Sequence, residues 1–361
     1  MITSMHIENF KCFKDFDIDL GPFTVLVGPN DSGKTAFLQA IMIAGAGGPN
    51  SKWGPGNLRS NAGIEPGTAN LWRGETSRPI LIRSSAGRCG ESEDDRCYMK
   101  VVSSDGAHFH SKVEIRPDAP PMPVEKSESP TEAWLTDWMR EAIGRISYYA
   151  FDADDLRRPT HPSTDKYHMT RTGVGLPAFL EDIVTRDRKA FFALEEAFYA
   201  RFPDYEQIVM DKQQHGGHVA YALSLRTRHG ETLPASSVSD GVMLSLAYVA
   251  LCYQPEPPNI LLIEEPETGV HYGSLREIVG MLKHLSNERH VQVVLTTHSP
   301  YLLDCVEPED VRVFAKDKDG AVHAAKLSDH PEVESLKKHF MTGEIWTEFD
   351  EADIVAGQGG R

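Results

Sequence analysis

The 361-residue chain carries a formal net charge of −16, with 40% hydrophobic and 25% charged residues. That acidic balance excludes chain-wide attraction to nucleic acid, and no apolar run reaches the ~18 residues a membrane helix needs. The cysteines (Cys12, Cys89, Cys97, Cys252 and Cys305) are odd in number and scattered. With no signal-peptide pattern at Met1 to His6, they point to reduced thiols in the cytoplasm rather than a disulfide framework.

Met5 to Phe13 and Phe16 to Leu20 read as strands leading into a buried strand, Phe23-Thr24-Val25-Leu26-Val27. The next residues, Gly28-Pro29-Asn30-Asp31-Ser32-Gly33-Lys34-Thr35, fit a glycine-rich phosphate loop at every defining position. Gly28 and Gly33 permit the tight turn that aims N–H groups at a phosphate. Lys34 supplies a mobile cation for the β- and γ-phosphates, and the Thr35 hydroxyl suits Mg²⁺. A helix from Lys34 to about Ala44 adds the positive end of its dipole. A nucleoside triphosphate is therefore the expected ligand.

Gly45 to Gly67 reads as a long loop, and Ile80-Leu81-Ile82 as a short strand. Arg73, Arg78, Arg83 and Arg88 recur through this stretch. They fit an ordinary solvated face better than a basic groove, and DNA stays open as a partner. A polar region follows, with strands expected at Cys97 to Val102 and His108 to Ile115 and a Pro-rich link at Pro117 to Pro123. Cys89, Cys97, His108 and His110 lack the short ligand spacing of a structural zinc site.

Thr131 to Ile143 is a helix candidate and Arg145 to Phe151 a strand. Pro177 to Phe202 carries the longest helical pattern, and two strands are expected at Tyr205 to Met210 and Val219 to Leu225. Then α/β alternation returns: helix Asp240 to Cys252, strand Ile260 to Ile263, helix Gly273 to Leu285, strand Gln292 to Thr296. From about Ser328 the chain is acidic and is expected to fray.

Three motifs lie in this last third. The apolar strand ending Ile263-Glu264-Glu265-Pro266 places two carboxylates together, Glu264 for Mg²⁺ and Glu265 to accept a proton from an attacking water. A second apolar strand ends Thr296-Thr297-His298, where a histidine can meet a γ-phosphate. Ser239-Asp240-Gly241 opens a helix whose free N–H groups suit a phosphate, although serine and aspartate there also read as a plain N-cap.

In this order, GPNDSGKT, VSDGV, ILLIEEPETGVH and LTTHSP resemble the ABC-type ATPases of the RecF, SMC and OLD-like group, in its compact form without long coiled coils. The resemblance covers roughly the first 45 residues and Val238 to about Val313. It implies an α/β P-loop NTPase, an ABC-type head with an inserted β-arm and helical lobe. Residues 1–84 and 238–328 would form the nucleotide-binding lobe, 85–237 the insertion and 329–361 an acidic tail.

The resemblance further implies ATP and Mg²⁺ as cofactors, with Gly28, Pro29, Asn30, Asp31, Ser32, Gly33, Lys34 and Thr35 around the triphosphate. Thr35 and Glu264 would hold the metal, Glu265 would be the catalytic carboxylate, and His298 the switch histidine. Ser239, Asp240 and Gly241 would be the signature element reaching the γ-phosphate of a second subunit, making a homodimer that sandwiches ATP. The implied role is an ATP-driven switch in DNA repair or defence against phage, with any nuclease or other effector on a separate chain.

The sequence departs from the pattern in using Glu264 where relatives often carry aspartate. No convincing glutamine fills the loop that reaches the metal from the other lobe. Gln39 reads as structural, while Asp152 and Arg157 are weak candidates for a related role. A nucleotide-gated scaffold with little hydrolysis is the rival reading, and the engine of a transporter is disfavoured by the absent Gly-Gly-Gln signature.

Overall fold

The computed structural model describes residues 1–45, 52–53, 67–86, 97–105, 107–115, 145–161, 168–215 and 218–356. It divides into two compact units: Met1–Tyr148 with Pro258–Leu262 and His290–Arg361, and Tyr149–Pro257 with Ile263–Arg289.

The first unit holds one antiparallel sheet and most of a second. The antiparallel sheet joins β1 (Ile2–Phe10), β2 (Phe13–Asp19), β4 (Lys52–Trp53), β5 (Ile80–Ala86), β6 (Cys97–Ser103) and β7 (Phe109–Ile115) in the order β2-β1-β5-β6-β7-β4. Alternation in β2 puts Phe13, Phe16 and Ile18 inward and the charged residues between them outward. The strands at Cys97 and Phe109 thus extend the same sheet as the N-terminal pair.

The second sheet contains β3 (Phe23–Val27), β8 (Ile146–Tyr149), β12 (Ile260–Glu264), β13 (Gln292–Thr297), β14 (Val311–Lys316) and β15 (Val322–Lys326) in the order β15-β14-β3-β13-β12-β8. β3 runs parallel to both β13 and β14 and is buried at all five positions. Such unbroken apolar runs belong to strands covered on both faces.

Helix α1 (Lys34–Gly45) leaves β3 and buries Phe37, Leu38, Ile41 and Met42 in a core shared with Phe10, Phe13, Phe16, Leu26, Val294 and Phe314. Phe13, Phe16, Phe37 and Phe314 form an aromatic cluster, with centroids 4.5 Å apart for Phe13–Phe16 and 5.8 Å for Phe37–Phe314. Tilted and edge contacts of this kind add to the burial of the rings themselves.

The second unit begins with the short α2 (Ala153–Leu156), followed by α3 (Leu176–Arg186) and α4 (Arg188–Arg201). The sequence pattern suggested one helix over this last stretch. Asp187 breaks it: its backbone leaves helical geometry (φ −144°, ψ 88°) and its carboxylate accepts from Lys189 N and Ala190 N at 3.0 Å, starting a new helix. β9 (Tyr205–His215), β10 (His218–Thr227) and β11 (Thr232–Pro234) form an antiparallel sheet in the order β11-β10-β9. Then come α5 (Asp240–Tyr253), buried at Val242 through Leu251, and α6 (Tyr272–Arg289).

The C-terminal segment of the first unit does not fray as its acidity suggested. After α7 (Pro300–Leu303) and the β14–β15 pair, it folds as α8 (Val333–Leu336), α9 (Thr342–Thr347) and α10 (Glu351–Ala356). Val333, Ile345 and Ile354 supply a buried residue for each helix. The helix expected at Thr131 to Ile143 lies outside the described residues.

Candidate functional site

The phosphate loop is built where β3 ends and α1 begins. Gly28 adopts φ +147°, and a Cβ there would stand 2.2 Å from the Phe314 carbonyl oxygen of β14. Gly33 adopts φ +97°, and a Cβ there would stand 2.7 Å from Cys12 Sγ. Both positions are closed to any side chain, so glycine is required by contact as well as by conformation. Asp31, between them, also lies in the left-handed region at φ +62°.

Lys34 is buried, and its Nζ donates to the carbonyls of Gly28 and Pro29, each at 2.8 Å, and to Ser32 Oγ at 3.2 Å. An ammonium has three protons to place, and a buried one needs partners for its charge. The loop thus curls round its own lysine. Thr35 stands exposed in the first turn of α1, where its hydroxyl is accessible.

Two neighbours of the loop were invisible in the sequence pattern. Lys316, at the end of β14, forms an ion pair with Asp31 across 285 positions of sequence. Cys12, packed behind Gly33, has its thiol pushed up to about 11 by burial. Gln39 is buried in α1 and accepts from Lys11 Nζ, in keeping with a structural part.

His298 follows β13. Thr297 is in register with Val27, so the residues that leave these adjacent parallel strands are His298 and Gly28. His298 is half-buried, and its turn is fixed by Ser299 N donating to Thr297 Oγ1 at 2.9 Å. The sheet order sets β13 between β3 and β12, so the strand that carries the paired acids is next in line.

The acids themselves are separated by the backbone. Glu264 ends β12 and is only 11% exposed, whereas Glu265 is exposed and takes φ +42°, a conformation non-glycine residues adopt rarely. The turn closes with Thr268 N donating to Glu265 O at 3.0 Å. Arg171 donates to Oε2 of Glu264.

Ser239 occupies the N-cap position of α5, yet its side chain makes no capping bond, so the plain capping role does not account for it. Arg157 instead braces this segment. Its guanidinium donates to Ala235 O at 3.1 Å, Val238 O at 2.8 Å and Asp240 Oδ1 at 2.5 Å. Asp152, the other weak candidate of the sequence reading, caps α2 by accepting from Asp154 N and Asp155 N.

The remaining constellations hold other partners. Cys89 lies outside the described residues, and His108 turns Nδ1 to Asp105 at 2.7 Å. Arg73 donates to the Asp319 carbonyl and Arg88 is not among the described residues. The acid–histidine group found together among the described residues is His6, Asp15 and Asp17, at the solvent face of β1 and β2. No helix among the described residues is long and apolar enough to cross a membrane.

Residues 133–304 match the family described as "AAA domain, putative AbiEii toxin, Type IV TA system", and residues 1–47 match the AAA ATPase domain family. An OLD nuclease of Thermus scotoductus is 23% identical over 376 aligned positions, spanning 95% of this chain and 68% of the relative. Among solved structures, an Smc head bound to the C-winged helix domain of ScpA superposes with a TM-score of 0.60 at 13% identity, covering 90% of this chain and 96% of that one. An Smc head with an extended coiled coil, bound to the C-terminal domain of ScpA from Pyrococcus furiosus, gives 0.58 at 11% identity, covering 93% and 99%. The chain thus has the α/β P-loop fold of the Smc heads, and in sequence it is similar to AAA ATPase domains over residues 1–47 and 133–304 and to an OLD nuclease.

Proposed function

We propose that the chain hydrolyses ATP at the γ-phosphate in an Mg²⁺-dependent reaction and uses it as a dimerising conformational switch. The observation that carries this reading is the phosphate loop, whose Gly28 and Gly33 admit no side chain and whose Lys34 ammonium is wrapped by loop oxygens. Phosphate oxygens arriving there would be stronger acceptors for Nζ than the two carbonyls and would draw it outward.

The donor set fits the metal. Thr35 offers an accessible hydroxyl and Glu264 a carboxylate, the hard oxygen ligands Mg²⁺ prefers. When bound, Mg²⁺ supplies charge for the β- and γ-oxygens. Glu265, exposed beyond the strand end, would accept the proton of the attacking water. His298 would hydrogen-bond the γ-phosphate, and Ser239 and Gly241 would complete the pocket of a second copy, so turnover stays slow in the monomer.

The likeness to a protein named OLD nuclease supports a role beside nucleic acid, and the family resemblance extends it to DNA maintenance or defence against phage. In this reading the switch drives a nuclease or other effector. Replacing Glu265 with Gln tests the scheme: ATP binding should persist, phosphate release should cease and dimers should accumulate in light scattering. Only monomers in the presence of ATP would overturn the sandwich. A scaffold with little hydrolysis is the second reading, favoured by the longer carboxylate of Glu264, and phosphate release from the wild-type protein separates the two.

A further inference from the structure

We infer that Arg171 is a positioning residue for Glu264: its guanidinium pins one carboxylate oxygen and leaves the other oriented for the metal. The inference rests on the reading of Glu264 as a metal ligand. The contact runs from Nη2 to Oε2, so the guanidinium engages one of the two carboxylate oxygens. Glu264 is 11% exposed and Arg171 42%. A carboxylate so far removed from water needs a donor or cation beside it. A guanidinium open to solvent provides the directional hydrogen bond while water screens much of its charge.

The turn that carries Arg171 is stiff. The Arg171 carbonyl accepts from Ala150 N at 2.8 Å, Thr170 N donates to Val174 O at 2.9 Å, and Gly173 N donates to Thr170 O at 3.0 Å. Gly173 adopts φ +101°, and a Cβ there would fall 2.4 Å from Leu156 Cδ2, so the turn is seated directly on α2. The guanidinium therefore projects from a fixed base. A glutamate has one more rotatable bond than the aspartate common at this position, and a fork holding one of its oxygens removes that freedom. Partners of metal-ligating carboxylates act in this way, and removing them weakens metal binding by about ten- to hundredfold.

The test is a Mg²⁺ titration of fluorescent ATP-analogue binding to the full chain, comparing wild type with Arg171→Gln and Arg171→Lys. The expected result is a Mg²⁺ midpoint raised about tenfold or more in Arg171→Gln and largely restored in Arg171→Lys, with affinity in EDTA unchanged. Arg171→Met, which keeps the aliphatic stem, is the second neutral variant if the first does not fold. A midpoint equal to wild type, a lower one, or an equal loss of affinity in EDTA would overturn the inference. Wild-type protein that binds nucleotide without regard to Mg²⁺ would instead remove the reading of Glu264 on which it rests.

Discussion

Val27 and Thr297 are register partners on adjacent parallel strands, so the phosphate loop and the His298 turn leave the sheet at one level. In open α/β sheets ligands gather at the carboxyl ends of such strands. Replacing His298 with Ala should leave ATP binding within about threefold of wild type and lower phosphate release by about 10²-fold or more. Equal losses in binding and turnover would assign His298 to uniform binding instead.

The Phe314 carbonyl closes the space above Gly28. Gly28→Ala should destabilise the first unit by about 1–3 kcal/mol, because the added methyl meets backbone rather than a side chain that can swing away. Thermal unfolding and nucleotide binding should both fall. Unchanged unfolding would show that β14 yields at Phe314.

Arg157 fixes the segment ahead of α5 through two carbonyls and Asp240. Arg157→Gln in a Glu265→Gln background should retain ATP binding and lose ATP-dependent dimers, since in the proposed sandwich Ser239 and Gly241 act on the other subunit's nucleotide. Light scattering with ATP is the measurement, and dimers at the undiminished level would remove Arg157 from this role.

His6 lies between Glu8 and Asp17, its ring nitrogens 2.9 Å from each. Burial opposes its charge, but the two carboxylates prevail and raise its pKa above the ordinary value. Its stabilising contribution is therefore complete below about pH 6.5 and is lost as pH rises through the higher folded value. The melting temperature of wild type minus that of His6→Gln should shrink between pH 6 and pH 9. A constant difference would mean packing, not charge, sets the effect.

Cys12 should resist iodoacetamide at pH 8, with its rate climbing toward about pH 11 as the buried thiol ionises. Fast labelling at pH 8, followed by mass spectrometry, would show that the region behind Gly33 opens readily.

Much of the site was legible because its signals are local. The phosphate loop needs eight consecutive residues, and β3, β12 and β13 are short apolar runs bounded by polar ones, so their ends could be read within a residue or so. The partners that tune those motifs were not legible. Lys316 meets Asp31 across 285 positions and Arg171 meets Glu264 across 93, separations at which no periodicity operates. The break at Asp187 was masked by continuous helical spacing on both sides, although an aspartate in that place is an N-cap signal. The acidic C-terminal segment misled through composition. A few well-placed apolar residues suffice: Val333, Ile345 and Ile354 are buried, while Phe340 and Met341 stay exposed.

That packing ties two distant parts of the chain together. Gly343 sits against Pro300, where a Cβ would come within 2.1 Å of the carbonyl oxygen, its N–H is held by Asp304, and Thr342 is hydrogen-bonded to Val306. Pro300 is two residues from His298. A rearrangement of the histidine turn would therefore pull on the helix that begins at Thr342, coupling the two segments mechanically.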